Sequence, residues 1–151
     1  MASSDKPEPS RALLSTLQGW GQSSMPPMGL ATLITALHFR PFQKLPMLLF
    51  TPMLLFSSYL NIAGFKIDSA ALNATWSGLY VLLAARRRPA SLRQRFTARG
   101  AVRLGAMGLG TINTLAGGWT YATGNREAEK IERQERDRWG IENALAEKRK
   151  K

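Results

Sequence analysis

Cysteine is absent from this chain of 151 residues, and histidine occurs once, at His38. The first absence removes disulfides, thiolate nucleophiles and zinc–thiolate sites together. Acids are nearly missing from the middle: between Pro9 and Asn125 the only one is Asp68. Metal sites need three or four converging ligands, and the central segment does not supply them. No catalytic residue, cofactor or metal site is therefore expected. A Ser-His-Asp arrangement has His38 and Asp68 to draw on, but nothing in the sequence places a serine with them. The start, Met1 to Pro9, carries Asp5, Glu8 and two prolines with no apolar run behind a basic end, so it does not read as a secretory signal. It is also a poor mitochondrial presequence, since those are Arg-rich and poor in acids.

What is abundant is positive charge. Lys and Arg number 21 against 10 Asp and Glu, a net charge of +11. A soluble domain normally scatters acids over its surface; here all but Asp68 are confined to the two ends. The mean hydropathy of −0.18 averages charged tails with an apolar middle. This distribution leads to an all-α fold class: a multi-pass transmembrane helical bundle of three to four spans with a charged C-terminal helix. Three parts are expected: a flexible polar tail over 1–24, a membrane-embedded helical domain over 25–125, and a charged helix over 126–151.

Within the middle part, Pro27 to Phe39 is uncharged apart from His38 and ends at Arg40-Pro41. Its thirteen residues reach only about 20 Å as a helix, so it crosses a bilayer only with help from Trp20 to Met25 and otherwise lies in the interface. Leu45 to Phe65 holds 21 uncharged residues between Lys44 and Lys66, about 31 Å of helix. Pro46 suits a first turn, whereas Pro52 should kink the helix and free the carbonyl near Leu48. Gly64 to Asp68 must turn the chain, and Ser69 to Ala85 is again uncharged until Arg86-Arg87-Arg88 stops it.

Arg86, Arg87, Arg88, Arg93, Arg95, Arg99 and Arg103 then fall within eighteen residues with no acid among them. Such a loop is read as a positive-inside determinant or as a contact for anionic lipid. RNA is a weaker reading, because only Phe96 is there to stack on bases, and no nucleic acid partner is expected. From Leu104 to Asn125, Ala106, Gly110, Thr114, Gly118 and Ala122 recur every four residues, and Ala70, Ala74 and Gly78 form a similar ridge before them. The two ridges are expected to pack together as helix-packing faces. The glycines from Gly105 to Gly110 follow no strand and suit packing better than phosphate binding. Asn73-Ala74-Thr75 matches a glycosylation acceptor but lies inside an expected helix. Asn61, Asn73 and Asn113 need partners, either across helices or along a small-solute path. In the tail, Glu129 with Arg133 and Glu132 with Arg136 are acid-before-base pairs four apart. Gly140 is expected to end or bend that helix, and Trp139-Gly140-Ile141 is its one apolar cluster. With four crossings, Arg40 and Lys44 share a side with the arginine loop, while Lys66 and both termini share the other.

Arg40-Pro41-Phe42-Gln43, Phe56-Ser57-Ser58-Tyr59-Leu60-Asn61 with Gly64-Phe65, and Trp76-Ser77-Gly78-Leu79-Tyr80 before the arginine run resemble the fungal "altered inheritance of mitochondria protein 19" family. The resemblance covers roughly residues 28–140. It implies a small mitochondrial membrane protein, in the inner membrane by expectation, and brings no catalytic residues. The resulting expectation is a non-enzymatic structural, assembly or inheritance role, with the lipid bilayer, including anionic lipid, or a membrane complex as partner. An accessory subunit of a respiratory complex such as complex I, and a small-solute carrier, are the alternatives.

Overall fold

The computed structural model describes residues 9–87 and 96–149, and all regular structure among them is helical. Helix α1 (Pro9–Gly21) precedes α2 (Met25–His38), a π-helical segment (Pro46–Phe50), α3 (Thr51–Ile62), α4 (Lys66–Arg86), α5 (Ala98–Thr123) and α6 (Arg126–Arg149). Local chemistry sets these boundaries. Pro26 occupies the first turn of α2, where a missing N–H costs nothing. Pro52 lies in the first turn of α3, and the widened turn of the π segment ahead of it absorbs the carbonyl crowding that its ring would cause in an α-helix. Gly64 has φ 94°, a left-handed conformation that glycine adopts without strain, and it reverses the chain between α3 and α4. Asn125 starts α6 by accepting hydrogen bonds from the N–H groups of Glu127 (3.0 Å) and Ala128 (3.2 Å).

Helices α2 to α5 run alternately up and down. One end of the bundle joins the C-termini of α2 and α4 to the start of α5, through Arg99 donating to the Leu37 carbonyl (2.9 Å) and Arg103 to the Ala84 carbonyl (2.7 Å). The other end joins the start of α2 to the end of α3, through Asn61 Nδ2 donating to the Gln22 carbonyl (2.8 Å) and Ser58 Oγ to the Ser24 carbonyl (3.1 Å). The apolar core is small: Leu30, Ile34, Leu37, Phe50, Leu54, Tyr80 and Ala106 are buried together, with Phe50 edge-on to Trp76 and Tyr80. Much of the remaining interior is polar. Ser57, Ser58, Asn61, Ser69, Asn73, Ser77, Asn113 and Thr120 are all buried.

Helices α4 and α5 approach each other closely. A Cβ added at Gly110 would stand 2.7 Å from Val81 Cγ2, and one at Gly117 would stand 2.6 Å from the Ala70 carbonyl and 3.1 Å from Ala74 Cβ. A Cβ added at Gly78 would stand 3.3 Å from the Thr114 side chain, and Ala106 is fully buried. At Gly118 the added atom would meet nothing within 4 Å. A spacing of four overshoots the helical repeat of about 3.6 residues by roughly 40° per step. The packed face therefore drifts off the four-residue ridge, passing through Asn113, Ala116, Gly117 and Thr120, and leaves Gly118 and Ala122 on the outside.

Three sequence expectations are corrected. The all-helical class stands, but the multi-pass transmembrane bundle does not: among the described residues no helix is long and apolar enough to cross a membrane. The uncharged run Leu45–Phe65 is divided into a π segment of 5 residues and α3 of 12 residues, and α3 reaches only about 18 Å. Helix α4 is long but carries Lys66, Asp68, Asn73 and Arg86, and α5 includes Arg99 and Arg103 and is rich in Gly and Thr. Secondly, the segment 1–24 is not wholly a tail. Its part from Pro9 to Gly21 is α1, seated on α5 because Gly21 lets the backbones meet: an added Cβ would lie 2.6 Å from the Ala116 carbonyl. Thirdly, α6 continues through Gly140, and Glu129 and Glu132 form no ion pair with Arg133 and Arg136. Glu129, only 8% exposed, accepts from the Ile67 N–H (2.9 Å). Glu132 pairs with Lys66 (2.6 Å), and that contact holds its carboxyl below the usual carboxylate range. Arg133 stacks over Phe65 (3.9 Å), and Arg136 donates to the Ala63 carbonyl (2.7 Å). Helix α4 has no side-chain cap of its own, so Glu129 caps it from α6.

Gly117→Ala should destabilise the fold by about 1–3 kcal/mol through overpacking, whereas Gly118→Ala should be neutral or slightly stabilising through helix propensity. Urea denaturation of both variants checks the contrast. Glu129→Ala leaves the buried Ile67 N–H without its acceptor and should cost about 1–3 kcal/mol in the same experiment, while Glu132→Gln, at an exposed pair, should melt close to the parent chain.

Candidate functional site

Six cations gather where α2 and α4 end and α5 begins: Arg40, Lys44, Arg86, Arg87, Arg99 and Arg103. Of the arginines expected to act in the loop, Arg86, Arg87, Arg99 and Arg103 belong to this end, and Arg88, Arg93 and Arg95 lie outside the described residues. Helix α5 positions two of them. Thr97 accepts from the Gly100 N–H (3.2 Å) and starts the helix, which sets Arg99 and Arg103 one turn apart on one face. Arg99 donates to the carbonyls of Leu37 (2.9 Å) and Arg40 (3.2 Å), and Arg103 donates to those of Ala84 (2.7 Å) and Arg87. These two guanidiniums thus cover the carbonyl ends of two helices, a favourable place for a cation. Arg87 donates to Gln43 Oε1 (2.8 Å). The side chains of Arg40, Lys44 and Arg86 make no hydrogen bond among the described residues. Both ion pairs found there, Lys66–Glu132 and Asp68–Arg126, lie at the opposite end.

The titratable groups here do not offset this charge. His38 donates from Nδ1 to the Ile34 carbonyl (2.9 Å) and lies edge-on to Tyr80. Burial, joined by the charges of Arg87, Arg99 and Arg103, holds its pKa below the usual histidine value against the pull of that hydrogen bond. Burial pushes the Tyr80 hydroxyl up, with Arg103 and Arg87 opposing it. At neutral pH both are uncharged, and the end keeps a fixed positive charge.

Elsewhere the chemistry-bearing residues are held apart. Asp68 is paired with Arg126 at the end opposite His38, so the two do not meet. Among the described residues no His, Asp or Glu cluster could hold a metal ion. The three asparagines do not share a cavity. Asn61 donates to Gln22, Asn73 accepts from Ser77 Oγ (3.0 Å), and Asn113 bridges α1, α2 and α5. It accepts from Trp20 Nε1 (3.0 Å) and donates to the Pro26 carbonyl (3.2 Å). No buried side-chain polar atom among the described residues lacks a partner. An open cleft between α1, α2 and α5, lined by Trp20, Pro26, Gly29 and Leu109, is almost wholly apolar.

Sequence reasoning missed Gly117, Gly21 and Glu129. Gly117 hides beside Gly118, and only the drift of the packed face separates them. Glu129 looks like any acid of a charged helix, and its partner, a backbone N–H, has no sequence signature. Arg40 and Lys44 were legible as the flank of an apolar run. No family model, curated protein or solved structure matches the chain.

Because the folded His38 binds its proton more weakly than the unfolded chain does, stability is full above the ordinary histidine pKa of about 6.5 and falls as pH drops below it. Arg87→Gln removes one repelling charge and should raise the His38 pKa toward that ordinary value. As His38 is the one histidine, proton NMR of its ring follows the shift directly.

Proposed function

We propose that this chain is a non-enzymatic structural or assembly protein held at a mitochondrial membrane without crossing it. The observation that carries the reading is an inversion of polarity. Serine, threonine and asparagine fill much of the interior and find hydrogen-bond partners within the chain, mostly backbone carbonyls, while Leu48 (67% exposed), Leu55, Phe56, Tyr59 (65%), Leu82 and Leu115 stand outside. Apolar surface of this extent marks a face that something covers. Ser57, Ser69, Asn61 and Asn113 are occupied in joining one helix or its flank to another. The mitochondrial placement rests on the resemblance to the fungal family alone.

The side faces of α3, α4 and α5 also favour a second reading, an accessory subunit of a larger membrane complex such as a respiratory complex. Three neighbouring helices with outward leucines offer a partner protein more area than one amphipathic stripe would.

Fractionation of mitochondria from cells expressing the tagged chain tests both. The chain should sediment with membranes at physiological salt, and recovery in the soluble fraction would overturn the reading. Replacing Leu55, Phe56 and Leu82 by Gln together should keep the helical circular dichroism while shifting the chain to the soluble fraction. Comigration with a complex on a native gel would select the second reading.

A further inference from the structure

The arginine-bearing end carries more than charge. Phe39, Phe42 and Leu45, from the α2–α3 connection, and Phe96, ahead of α5, stand exposed there, Phe96 by 90%. Arg40 and Lys44 alternate with the first three along the chain, Arg86 closes α4 at the same end, and these three side chains make no hydrogen bond among the described residues. Three features make this end positive. Arg99 and Arg103 already cover the carbonyl termini of α2 and α4, which would otherwise present negative dipole ends. The N-terminus of α5 presents its positive end at the same place. Both ion pairs of the described residues lie at the other end.

We propose that this end is a docking surface for an anionic phospholipid bilayer, with Arg40, Lys44 and Arg86 on lipid phosphates and Phe39, Phe42, Leu45 and Phe96 entering the headgroup–acyl boundary. The inference rests on the membrane attachment proposed above and names the surface and lipid class that serve it. Charge complementarity selects an anionic partner, and the apolar side chains between the cations select one that also has a hydrocarbon layer. A nucleic acid strand would use the phenylalanines as stacking platforms but has no place for Leu45. A soluble phosphate would use the cations and leave all four apolar side chains in water. Arg99 and Arg103 act differently from the other cations: they hold the helix ends in place and thereby position the docking groups.

Sedimentation of the full chain with vesicles tests this. Vesicles of phosphatidylcholine alone are compared with vesicles containing phosphatidylglycerol, at low and high salt. Binding should require the anionic lipid and weaken as salt rises. The combined variant Arg40→Gln, Lys44→Gln, Arg86→Gln, which touches no hydrogen bond that holds the fold, should lower partition roughly a hundredfold at unchanged helical circular dichroism. Phe42→Ser with Phe96→Ser should weaken binding without changing its salt dependence. Equal, salt-insensitive binding to both vesicles would overturn this docking surface while leaving membrane attachment standing. Absence of binding to either would overturn both. Release by millimolar inorganic phosphate at constant ionic strength, or preference for a single-stranded RNA oligonucleotide over anionic vesicles, would overturn the bilayer as the partner.

Discussion

Ser57 and Ser69 face each other across α3 and α4, and each hydroxyl reaches the other's backbone carbonyl, at 2.9 and 2.7 Å. The pair sets the terms on which the bundle is built. Small hydroxyl side chains let the helices come close, and closeness leaves no room for water, so every interior polar group must find its partner within the chain. Ser58, Asn61, Asn73, Ser77, Asn113 and Thr120 meet that requirement by bonding to carbonyls, hydroxyls or amides nearby. A core held this way gains less from burying hydrocarbon than an oily one. It gains orientation instead, because a hydrogen bond fixes which residues must oppose each other.

The same economy of space explains the exterior. Where α4 meets α3 and α5 on small side chains, Leu55, Phe56, Tyr59, Leu82 and Leu115 are left facing outward, while Leu54 and Tyr80 reach the small apolar core. The two ends then divide the electrostatics. One collects cations with no ion pair among the described residues, while the other knits Lys66, Asp68, Arg126, Glu129 and Glu132 into a mixed network. The molecule is thus polarised along its axis, and its ends present different surfaces to any partner.

Much of this was legible in the sequence and some was not, for physical reasons. The helical runs, the turn at Gly64, the α4–α5 pairing and the gathering of arginines all leave local marks in composition or spacing. Pro52 announced a disturbance but not its form, since a π turn and a kink both relieve the same clash. Membrane crossing was inferred from the absence of charge, which long runs of Gly, Ser, Thr and Asn share without being apolar. Helix α1 was missed because its contact with α5 depends on Gly21 and the Trp20–Asn113 bond, while its leucines Leu13 and Leu14 remain exposed. The contact between Glu129 and the Ile67 N–H joins residues 62 positions apart, and no local pattern encodes it.

That last contact also has a temporal side. A ribosome delivers the chain from its N-terminus, so the four alternating helices emerge before the carboxylate that closes the start of α4. Until residue 129 has been made, the first turn of α4 must draw on water for what Glu129 later provides, and the neighbouring α3–α4 turn lacks Arg133 and Arg136. The bundle is finished from its far end, which makes α6 as much a closing step in biogenesis as a part of the finished architecture.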